Sequence, residues 1–479
     1  MPVSVQISNL DPALDVLCTL AAFEDAPFVL LFDSAARHRE RDARYTILTA
    51  DPVAVTRLDK ASSGDDPFSV LRTWQMLLPA LSDEQHASLP PFCGGIAGLL
   101  SYELGQAFEK IPSPAIDDFR TPALLAGLFD WAIVWDHIAG TVRRYVLQLE
   151  DSQTPKRTTA LRDRVAWIEA RLNRDTESNP RLTSTTDSTT LPTEITSIRH
   201  RIEPTSEIYS DFTRDQYTTA VARVIEYIRA GDIFQANLSQ RLLAPWPGTA
   251  TQLYASVRAN NPAPFCGMLK ADDFSIVSAS PERFLKVDRS RQVETRPIKG
   301  TRRRPRSPIA DLYASEELST SEKDRAENVM IVDLLRNDIS RSCKPGTIRV
   351  TGLCEVERFE TVLHLVSTVV GTLRDDCDVW DLMAGCFPGG SITGAPKIRA
   401  MEIIAELEPT VRGAYCGSLF FLGPCGDFDS SILIRTFTLK HGWVQFPVGG
   451  GIVADSDPLD EYRETLHKAS GMIRSLRTT

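Results

Sequence analysis

The feature that most constrains the fold is a helix with clear start and stop signals that leads directly into a long strand. Thr213 and Gln216 have the spacing of a capping box, and apolar residues recur at helical spacing from 217 to 228. Gly231 is a typical helix C-terminus. Residues 233–243 then alternate, with Gln235, Asn237 and Ser239 on one face. The segment predicts a mixed helix-and-sheet unit whose polar strand face either lines a pocket or is half exposed.

The rest of the chain divides by composition into an earlier ordered region and a linker. Residues 28–32 and 132–135 are apolar runs typical of buried strands, and 162–172 has helical periodicity. Residues 173–206 are rich in Ser, Thr and Pro, which predicts a flexible linker. We therefore expect an N-terminal region at 1–172 and a second region at 207–479.

Charge and cysteine content exclude several classes of protein. The 479 residues carry a net charge of −10, which argues against nucleic acid or an anionic membrane as a partner. Nine cysteines include no CxxC pair, so neither a zinc site nor a disulfide framework is expected. No signal peptide and no apolar run of about 18 residues is found. These features predict a cytoplasmic protein without a membrane span.

One lysine lies between a rigid and a permissive residue, in the stretch Pro297-Ile298-Lys299-Gly300-Thr301. A lysine that is partly desolvated loses its proton readily and can act as a nucleophile. The alternative is a solvated cation on a surface loop. The other motifs downstream favour the nucleophile.

Two predicted helices each carry a pair of carboxylates on one face. Ser321 caps a helix on which Asp324 and Glu327 are three residues apart, and Asp457 caps a helix that carries Glu461 and Glu464. Each pair could instead simply favour the N-terminal end of its helix dipole. Together the helices could hold one hard cation, and magnesium suits a few carboxylates with water and an anionic substrate.

Two glycine-rich stretches lie near these acids. The glycines at 449–451 let a backbone approach a ligand and offer N–H groups to an anion. The stretch 388–397, Pro-Gly-Gly-Ser-Ile-Thr-Gly-Ala-Pro-Lys, runs into a predicted helix from Ala395 to Leu407. Such a helix start favours an anion, although its glycines also suit a tight turn.

Three further residues have chemistry that the pattern alone leaves open. Arg435 lies on a predicted apolar strand and suits a carboxylate partner. Glu282 follows a predicted strand and is either a general acid or an ion-pair partner of a nearby cation. His364 in an apolar stretch predicts a buried histidine with an ordinary partner.

The order of these motifs resembles the chorismate-utilising enzymes from about Thr213 to the end of the chain. The resemblance is carried by residues 233–241, the PIKGT loop, residues 326–338, the GGSITGAPK turn, residues 415–418 and the GGGIVADS run. It implies an α+β fold in four layers, helix, sheet, sheet and helix, with two packed sheets and the active site in the second region.

The resemblance also implies roles for individual residues. Magnesium would be bound directly by Glu327 and Glu464, and through water by Asp324 and Glu461. Magnesium would neutralise and orient the C1 carboxylate of the substrate. The substrate would be held by Gly300, Thr301, Tyr415, Arg435, Gly449, Gly450 and Gly451. His364 becomes an active-site residue under this interpretation.

Two positions indicate the branch of the family. Isochorismate- and salicylate-forming relatives have a lysine at the position of Gln235, and anthranilate synthases have an alanine at the position of Lys299. The pair Gln235 and Lys299 is therefore similar to that of aminodeoxychorismate synthases. Anthranilate synthase component I, a non-catalytic tryptophan-sensing subunit and isochorismate synthase are the alternatives.

The implied chemistry uses Lys299, Glu282 and ammonia. Lys299 attacks C2 of chorismate, Glu282 protonates the departing C4 oxygen, and ammonia then attacks C4. Lys299 must be neutral, and we expect Arg296 and Arg302 to lower its pKa. No glutaminase pattern is found, so a separate glutamine amidotransferase or free ammonia is expected as the nitrogen source.

The N-terminal region resembles the part of the family that binds tryptophan. Ser34 lies in the matching segment, and Pro264 and Phe265 lie in the segment that faces it. Cys266 stands where relatives have Met. The alternatives are a tryptophan pocket and a purely structural contact.

Overall fold

A computed structural model describes residues 5–35, 43–149, 161–174, 195, 199–203, 205–305, 307–358 and 362–477. The strands of these residues are β1 (Val5–Leu10), β2 (Val29–Asp33), β3 (Tyr45–Thr49), β4 (Ala54–Leu58), β5 (Gly95–Leu100), β6 (Leu124–Phe129), β7 (Trp131–Asp136), β8 (Thr141–Leu147), β9 (His200–Arg201), β10 (Tyr209–Ser210), β11 (Gln235–Pro245), β12 (Phe265–Lys270), β13 (Ser275–Ser280), β14 (Arg283–Val287), β15 (Gln292–Thr295), β16 (Ile298–Arg303), β17 (Arg349–Arg358), β18 (Val362–Thr372), β19 (Gly394–Ala395), β20 (Ser418–Leu422), β21 (Phe428–Ser431), β22 (Thr436–Lys440) and β23 (Trp443–Ile452).

The α-helices of the same residues are α1 (Val16–Ala22), α2 (Ser69–Gln75), α3 (Asp83–Ser88), α4 (Leu161–Leu172), α5 (Arg214–Ala230), α6 (Ala250–Asn260), α7 (Pro308–Thr320), α8 (Glu322–Ser340), α9 (Val379–Cys386), α10 (Lys397–Leu407) and α11 (Pro458–Leu476). Short 3₁₀ helices cover Tyr102–Ala107 and Gly390–Ile392.

The strands form two large sheets. The first has the order β1-β8-β7-β3-β2-β12-β13-β22-β23-β11-β10-β9, with β19 on β11. The second has the order β16-β18-β15-β14-β21-β20-β5-β6-β4, with β17 on β18. Neighbouring strands in both sheets pair antiparallel.

The sheets pack face to face through apolar side chains. Leu30 and Val134 of the first sheet share one buried cluster with Leu99 and Phe421 of the second. The outer face of the first sheet carries α1, α4, α6 and α11, and the outer face of the second carries α2, α8 and α9. The predicted four-layer α+β fold with two packed sheets is confirmed.

Both predicted regions contribute strands to both sheets. β2 pairs with β12 in the first sheet, and β5 pairs with β20 in the second. The boundaries at 172 and 207 stay predictions, and the predicted linker at 173–206 lies largely outside the described residues. Of its described residues, Ile195 is buried in a cluster with Trp443.

Local capping signals place the helices that bear on function. Thr213 and Gln216 form the predicted capping box of α5, and Gly231 ends it with a φ of 85°. Ser321 caps α8 and Asp457 caps α11 through side-chain hydrogen bonds, as predicted. Within the described part of the chain, no helix is both long and apolar enough to span a membrane.

Two local predictions differ from the structure. Residues 432–435 do not extend a strand, because Leu433 exchanges backbone hydrogen bonds with Cys416 and Gly417. Arg435 therefore lies in the loop between β21 and β22, with a φ of 53°. The helix predicted from Ala395 begins at Lys397 instead, because Gly394–Ala395 pairs with β11 as β19.

Candidate active site

Lys299 lies on β16 beside an irregularity that turns its neighbours. The pairing of β16 with β18 shifts register between Lys299 and Thr301, and Gly300 has a φ of 75°. A Cβ on Gly300 would lie 2.9 Å from Cγ of Asp324 on α8, so only glycine lets this loop approach the acidic helix. Lys299 is thereby held against α8 instead of pointing into solvent.

The amine of Lys299 is hydrogen-bonded to the protein backbone and has a lowered pKa. Its Nζ donates to the carbonyl oxygen of Ser391 at 3.1 Å. Burial lowers the pKa of Lys299, while the charges of Glu327 and Glu282 oppose that shift and the Lys468 cation adds to it. A larger share of the amine is therefore neutral than in a solvated lysine, as nucleophilic attack requires.

The predicted cause of this pKa shift was wrong. Arg296 forms an ion pair with Glu357. Arg302 forms two ion pairs, with Asp324 and with Glu317, both at 3.0 Å. Both guanidinium groups are thus occupied by carboxylates. Burial, with a contribution from Lys468, lowers the pKa of Lys299 instead.

Glu282 is buried in the turn between β13 and β14. Burial raises its pKa to about 7, against the opposing effects of the Lys299 charge and of hydrogen bonds from the Ser391 hydroxyl and the Ile298 N–H. Arg283, its predicted alternative partner, pairs with Asp429 and Glu294. At neutral pH the Glu282 carboxyl is therefore close to half protonated and can donate a proton.

Ser391 joins these two groups and was not singled out from the sequence. Its carbonyl accepts from Lys299, and its hydroxyl lies close enough to Glu282 to lower the pKa of that carboxyl. It lies in the 3₁₀ turn before β19, which is held on β11 where the Asn237 N–H donates to the Thr393 carbonyl at 2.7 Å. The GGSITGAPK turn thus contacts the candidate catalytic pair, while its predicted role in anion binding stays a prediction.

Gln235 begins β11 next to the same turn. Its side chain is buried, and its Oε1 has no hydrogen-bond partner among the described residues. A Cβ on Gly451 would overlap Nε2 of Gln235, so that glycine makes room for the amide. A buried amide oxygen without a partner is a candidate contact for a substrate or a small nucleophile.

The two acidic helices converge, as predicted. Burial raises the pKa of Glu327 on α8, and the charges of Asp324 and of Glu461 on α11 add to the shift. Burial and the Glu464 charge raise the pKa of Glu461, while a hydrogen bond from Ser456 opposes that rise. Carboxylates from α8 and α11 therefore repel one another across one site.

Lysines partly neutralise these acids. Lys468 contacts Glu464 at 2.7 Å and donates to the Gly449 carbonyl at 3.0 Å. Burial raises the pKa of Glu464, but the charges of Lys468, Lys323 and Lys299 outweigh it and leave the pKa lowered. Lys468 was missed, although its i+4 spacing from Glu464 would have indicated the pair.

No ready-made cluster of three or more metal-binding side chains is found among the residues described. Asp324 is already occupied by Arg302, and the Oε1 atom of Glu461 accepts from Ser456 at 2.6 Å. The repulsion between Glu327 and Glu461 nevertheless suits a cation between α8 and α11. The four metal-binding roles stay predictions.

The predicted substrate-binding residues lie on several different elements of the fold. The three glycines are part of β23, and Gly450 faces Glu461, because a Cβ on this glycine would lie 3.2 Å from the Oε2 atom of the acid. Tyr415 is buried, with the Arg412 guanidinium 5.8 Å from its ring centroid. Gly300 and Gly450 thus lie beside the acidic helices, and the contacts of all the predicted residues with a substrate stay predictions.

Arg435 is the clearest candidate for an anion contact. It is half-buried, and burial lowers its pKa. Among the described residues it forms no ion pair, so its charge is available to an external carboxylate. Its predicted role in substrate binding stays a prediction, whereas its predicted strand is not found.

His364 is a buried histidine with a hydrogen-bond partner, as the sequence pattern predicted, and its active-site role stays a prediction. It is buried on β18, and its Nδ1 lies 2.9 Å from Oγ1 of Thr301. It is therefore a partnered core histidine that also supports the loop carrying Lys299 and Gly300.

The candidate tryptophan pocket lies on neighbouring strands. Ser34 follows β2, Phe265 begins β12, and Asp33 pairs with Cys266 between them. Asp33 accepts from Tyr254 and Arg258 at 2.6 Å each. This buried polar cluster was not predicted, and binding of tryptophan stays a prediction.

The glycines of β23 make a testable contrast. A Cβ at Gly449 would lie 2.5 Å from the Leu238 carbonyl oxygen, whereas a Cβ at Gly451 meets only the end of the Gln235 side chain. Because a backbone yields less than a side chain, we expect Gly449→Ala to cost about 1–3 kcal/mol of unfolding free energy. Gly451→Ala should cost less than about 1 kcal/mol because Gln235 can turn away. Urea denaturation checks both, and equal losses would contradict this packing.

The sequence of the chain is similar to those of known proteins over most of its length. A sequence profile of the chorismate binding enzymes matches residues 28–474. Aminodeoxychorismate synthase component 1 of Klebsiella aerogenes is 38% identical over 461 residues, 94% of each chain. Anthranilate synthase component 1 of Thermus thermophilus is 37% identical over 477 residues, 98% of this chain and 96% of the relative.

A solved structure agrees with these sequences. Anthranilate synthase component I from Streptococcus pneumoniae superposes with a TM-score of 0.71 at 30% identity, over 91% of this chain and 92% of that one. Profile, sequence and structure agree over nearly the whole length, and the chain belongs to the family of chorismate binding enzymes.

Proposed function

We propose that the chain is the chorismate-aminating component of an aminodeoxychorismate synthase, which works with magnesium and a separate source of ammonia. The observation that carries the proposal is the pairing of Lys299 with Glu282 through Ser391. A relative named for the same activity is 38% identical over 94% of this chain, which also supports it.

The proposed reaction replaces the C4 hydroxyl of chorismate with an amino group. Neutral Lys299 forms a bond to C2, the ring double bonds shift, and the C4–O bond breaks as Glu282 supplies the proton that lets the oxygen leave as water. Ammonia then forms a bond to C4, the double bonds shift back, and the bond to Lys299 breaks. Chorismate and ammonia thus give aminodeoxychorismate and water, with Lys299 regenerated.

The protonation states in the site suit these steps. Burial lowers the pKa of Lys299 and raises the pKa of Glu282 to about 7, so each group moves toward the form that the reaction uses. Gln235 lacks a basic nitrogen, so it cannot deprotonate water for attack at C2. Its unpartnered Oε1 could instead accept a hydrogen bond from ammonia.

Magnesium would be bound directly by Glu327 and Glu464, and through water by Asp324 and Glu461. It would neutralise a substrate carboxylate and orient the ring. Arg435 would contact a carboxylate from the loop after β21, which leaves Lys299 and Glu282 to act on the ring.

A prediction tests the metal-binding role. Replacing Glu327 with Gln should raise the magnesium concentration for half-maximal activity by about 10–100-fold, because one carboxylate ligand is lost. Asp333→Asn on the same helix is the control, since Asp333 is exposed and pairs with Arg336 on the surface. Steady-state rates over a magnesium titration provide the measurement. An unchanged magnesium requirement for Glu327→Gln would move the metal away from α8.

Anthranilate synthase component I is the second candidate, because a relative of that name is 37% identical over 98% of this chain. The two functions differ in the ring carbon that is aminated. Incubation of the purified chain with chorismate, magnesium and ammonium distinguishes them by product. We expect no fluorescent anthranilate, and a product that an added aminodeoxychorismate lyase converts to para-aminobenzoate.

The nitrogen source is tested in the same assay. We expect glutamine to support turnover only when an amidotransferase is added, while ammonium alone suffices at high concentration. Turnover with glutamine and no second protein would contradict the separate partner.

A further inference from the structure

A buried arginine outside all of the predicted site residues ties several parts of the site together. Arg412 is 3% exposed, and its guanidinium donates four hydrogen bonds to three residues. Nε donates to Glu408 at 2.8 Å, and one terminal nitrogen donates to the Ile392 carbonyl at 3.0 Å. The other terminal nitrogen donates to the Asn237 carbonyl and to Glu408.

Two carboxylates hold Arg412 in place, one through its side chain and one through its backbone. Glu408 also accepts from the backbone N–H and the hydroxyl of Ser239 on β11, each at 2.8 Å. The backbone N–H groups of Arg412 and Gly413 donate to Glu103 at 2.8 and 3.0 Å. A carboxylate from the N-terminal half of the chain thus holds the backbone of Arg412, and one at the end of α10 holds its side chain.

The other end of this network reaches the candidate catalytic pair. Ile392, whose carbonyl accepts from Arg412, directly follows Ser391. The Ser391 carbonyl accepts from Lys299, and the Ser391 hydroxyl lies close enough to Glu282 to lower the pKa of that carboxyl. Asn237, the second backbone contact of Arg412, hydrogen-bonds the same turn through Thr393.

We propose that Arg412 is a positioning residue that fixes the turn at Ser391, and through it the relative placement of Lys299 and Glu282. The proposal deepens the proposed function and rests on it. Arg412 itself lies away from the reacting groups, with its guanidinium bound to protein carbonyls and to Glu408. The planar fork of arginine reaches the turn, β11 and Glu408 at once, whereas the single ammonium of lysine cannot reach all three.

The first test measures Lys299 without requiring turnover. Competitive acetylation with acetic anhydride over a range of pH, followed by mass spectrometry of the peptide that contains Lys299, reports the pKa of its amine. In Arg412→Lys the turn should loosen and admit water, so the labelling pKa should rise by about one unit toward that of a free lysine.

The control is Arg241→Lys. Arg241 is also 3% exposed and also ties β11 to the N-terminal half, but through Asp118, and it donates to Gln445 of β23 as well. The Arg241→Lys variant should lower the midpoint temperature of thermal unfolding, as Arg412→Lys does. It should leave the labelling pKa of Lys299 unchanged. Equal shifts in the two variants would show a general loss of packing and overturn the proposal, as would no shift in Arg412→Lys.

Kinetics provide the second readout. For Arg412→Lys we expect kcat to fall about tenfold or more, with KM for chorismate changed by less than about threefold, because the groups that act on the ring are misplaced while substrate contacts remain. If Arg412→Lys does not fold, Glu408→Gln should shift the same labelling pKa in the same direction by a smaller amount. A KM effect alone would also overturn the proposal.

The outcomes separate this inference from the proposed function. If the product is anthranilate but the labelling shift is found, positioning stands and the assigned product is wrong. If aminodeoxychorismate forms and the labelling is unaffected by Arg412→Lys, the product stands and positioning fails.

Discussion

Replacing Lys299 with alanine is expected to lower aminodeoxychorismate formation on the order of 10³-fold, because the covalent route to C4 is lost. Lys299 lies against the Ser391 carbonyl with its pKa lowered by burial, as a nucleophile requires. Direct attack by ammonia on C4 should leave a small residual rate. Steady-state assays with saturating ammonium measure the loss.

Lys299→Arg separates nucleophilicity from charge. Arginine keeps the cation between Glu282 and Glu327 but cannot lose its proton in a protein. We expect it to be as impaired as Lys299→Ala. Substantial activity in Lys299→Arg would mean that the position acts as a charge, and the covalent role would be withdrawn.

Replacing Glu282 with Gln should lower the rate by about 10²–10⁴-fold, because an amide cannot supply the proton for the departing oxygen. Burial raises the pKa of Glu282 to about 7, so the carboxyl holds its proton below that pH and loses it above. The wild-type rate should therefore decline on the alkaline side of its pH profile, where Glu282 has lost its proton. It should also fall at low pH, where Lys299 becomes protonated.

The pH profile of the variant gives the sharper result. In Glu282→Gln the alkaline decline should vanish from the residual rate, because no group at position 282 titrates. Asp211→Asn is the control, since Asp211 is another buried carboxyl, with a pKa that burial raises to about 6. It should retain the wild-type profile. An unchanged alkaline decline in Glu282→Gln would assign the proton to another group.

Local signals in the sequence predicted the elements that depend on local contacts. Thr213, Gln216 and Gly231 gave the start and end of α5, and Ser321 and Asp457 gave the caps of α8 and α11. The convergence of these last two helices was predicted from paired carboxylates, and the contribution of the Glu461 charge to the raised pKa of Glu327 agrees with it.

Contacts between distant segments were not predictable in this way. Ser391 joins Lys299 to Glu282 only because its turn is pinned to β11, which no local pattern encodes. Residues 432–434 have the composition of a strand, yet Leu433 hydrogen-bonds the turn at 416–417, which leaves Arg435 in a loop. Arg296 and Arg302 are close to Lys299 in sequence, but carboxylates from other elements bind their side chains.

The measurement that tests the central claim most directly is the position of the nitrogen in the product. The primary products of amination at C2 and at C4 have the same mass, so mass alone does not distinguish them. Incubation with chorismate, magnesium and ¹⁵N-ammonium, followed by NMR of the purified product, shows which ring carbon is coupled to ¹⁵N. We predict coupling to C4. Coupling to C2 would place the chain with the anthranilate synthases and would contradict the role assigned to Lys299.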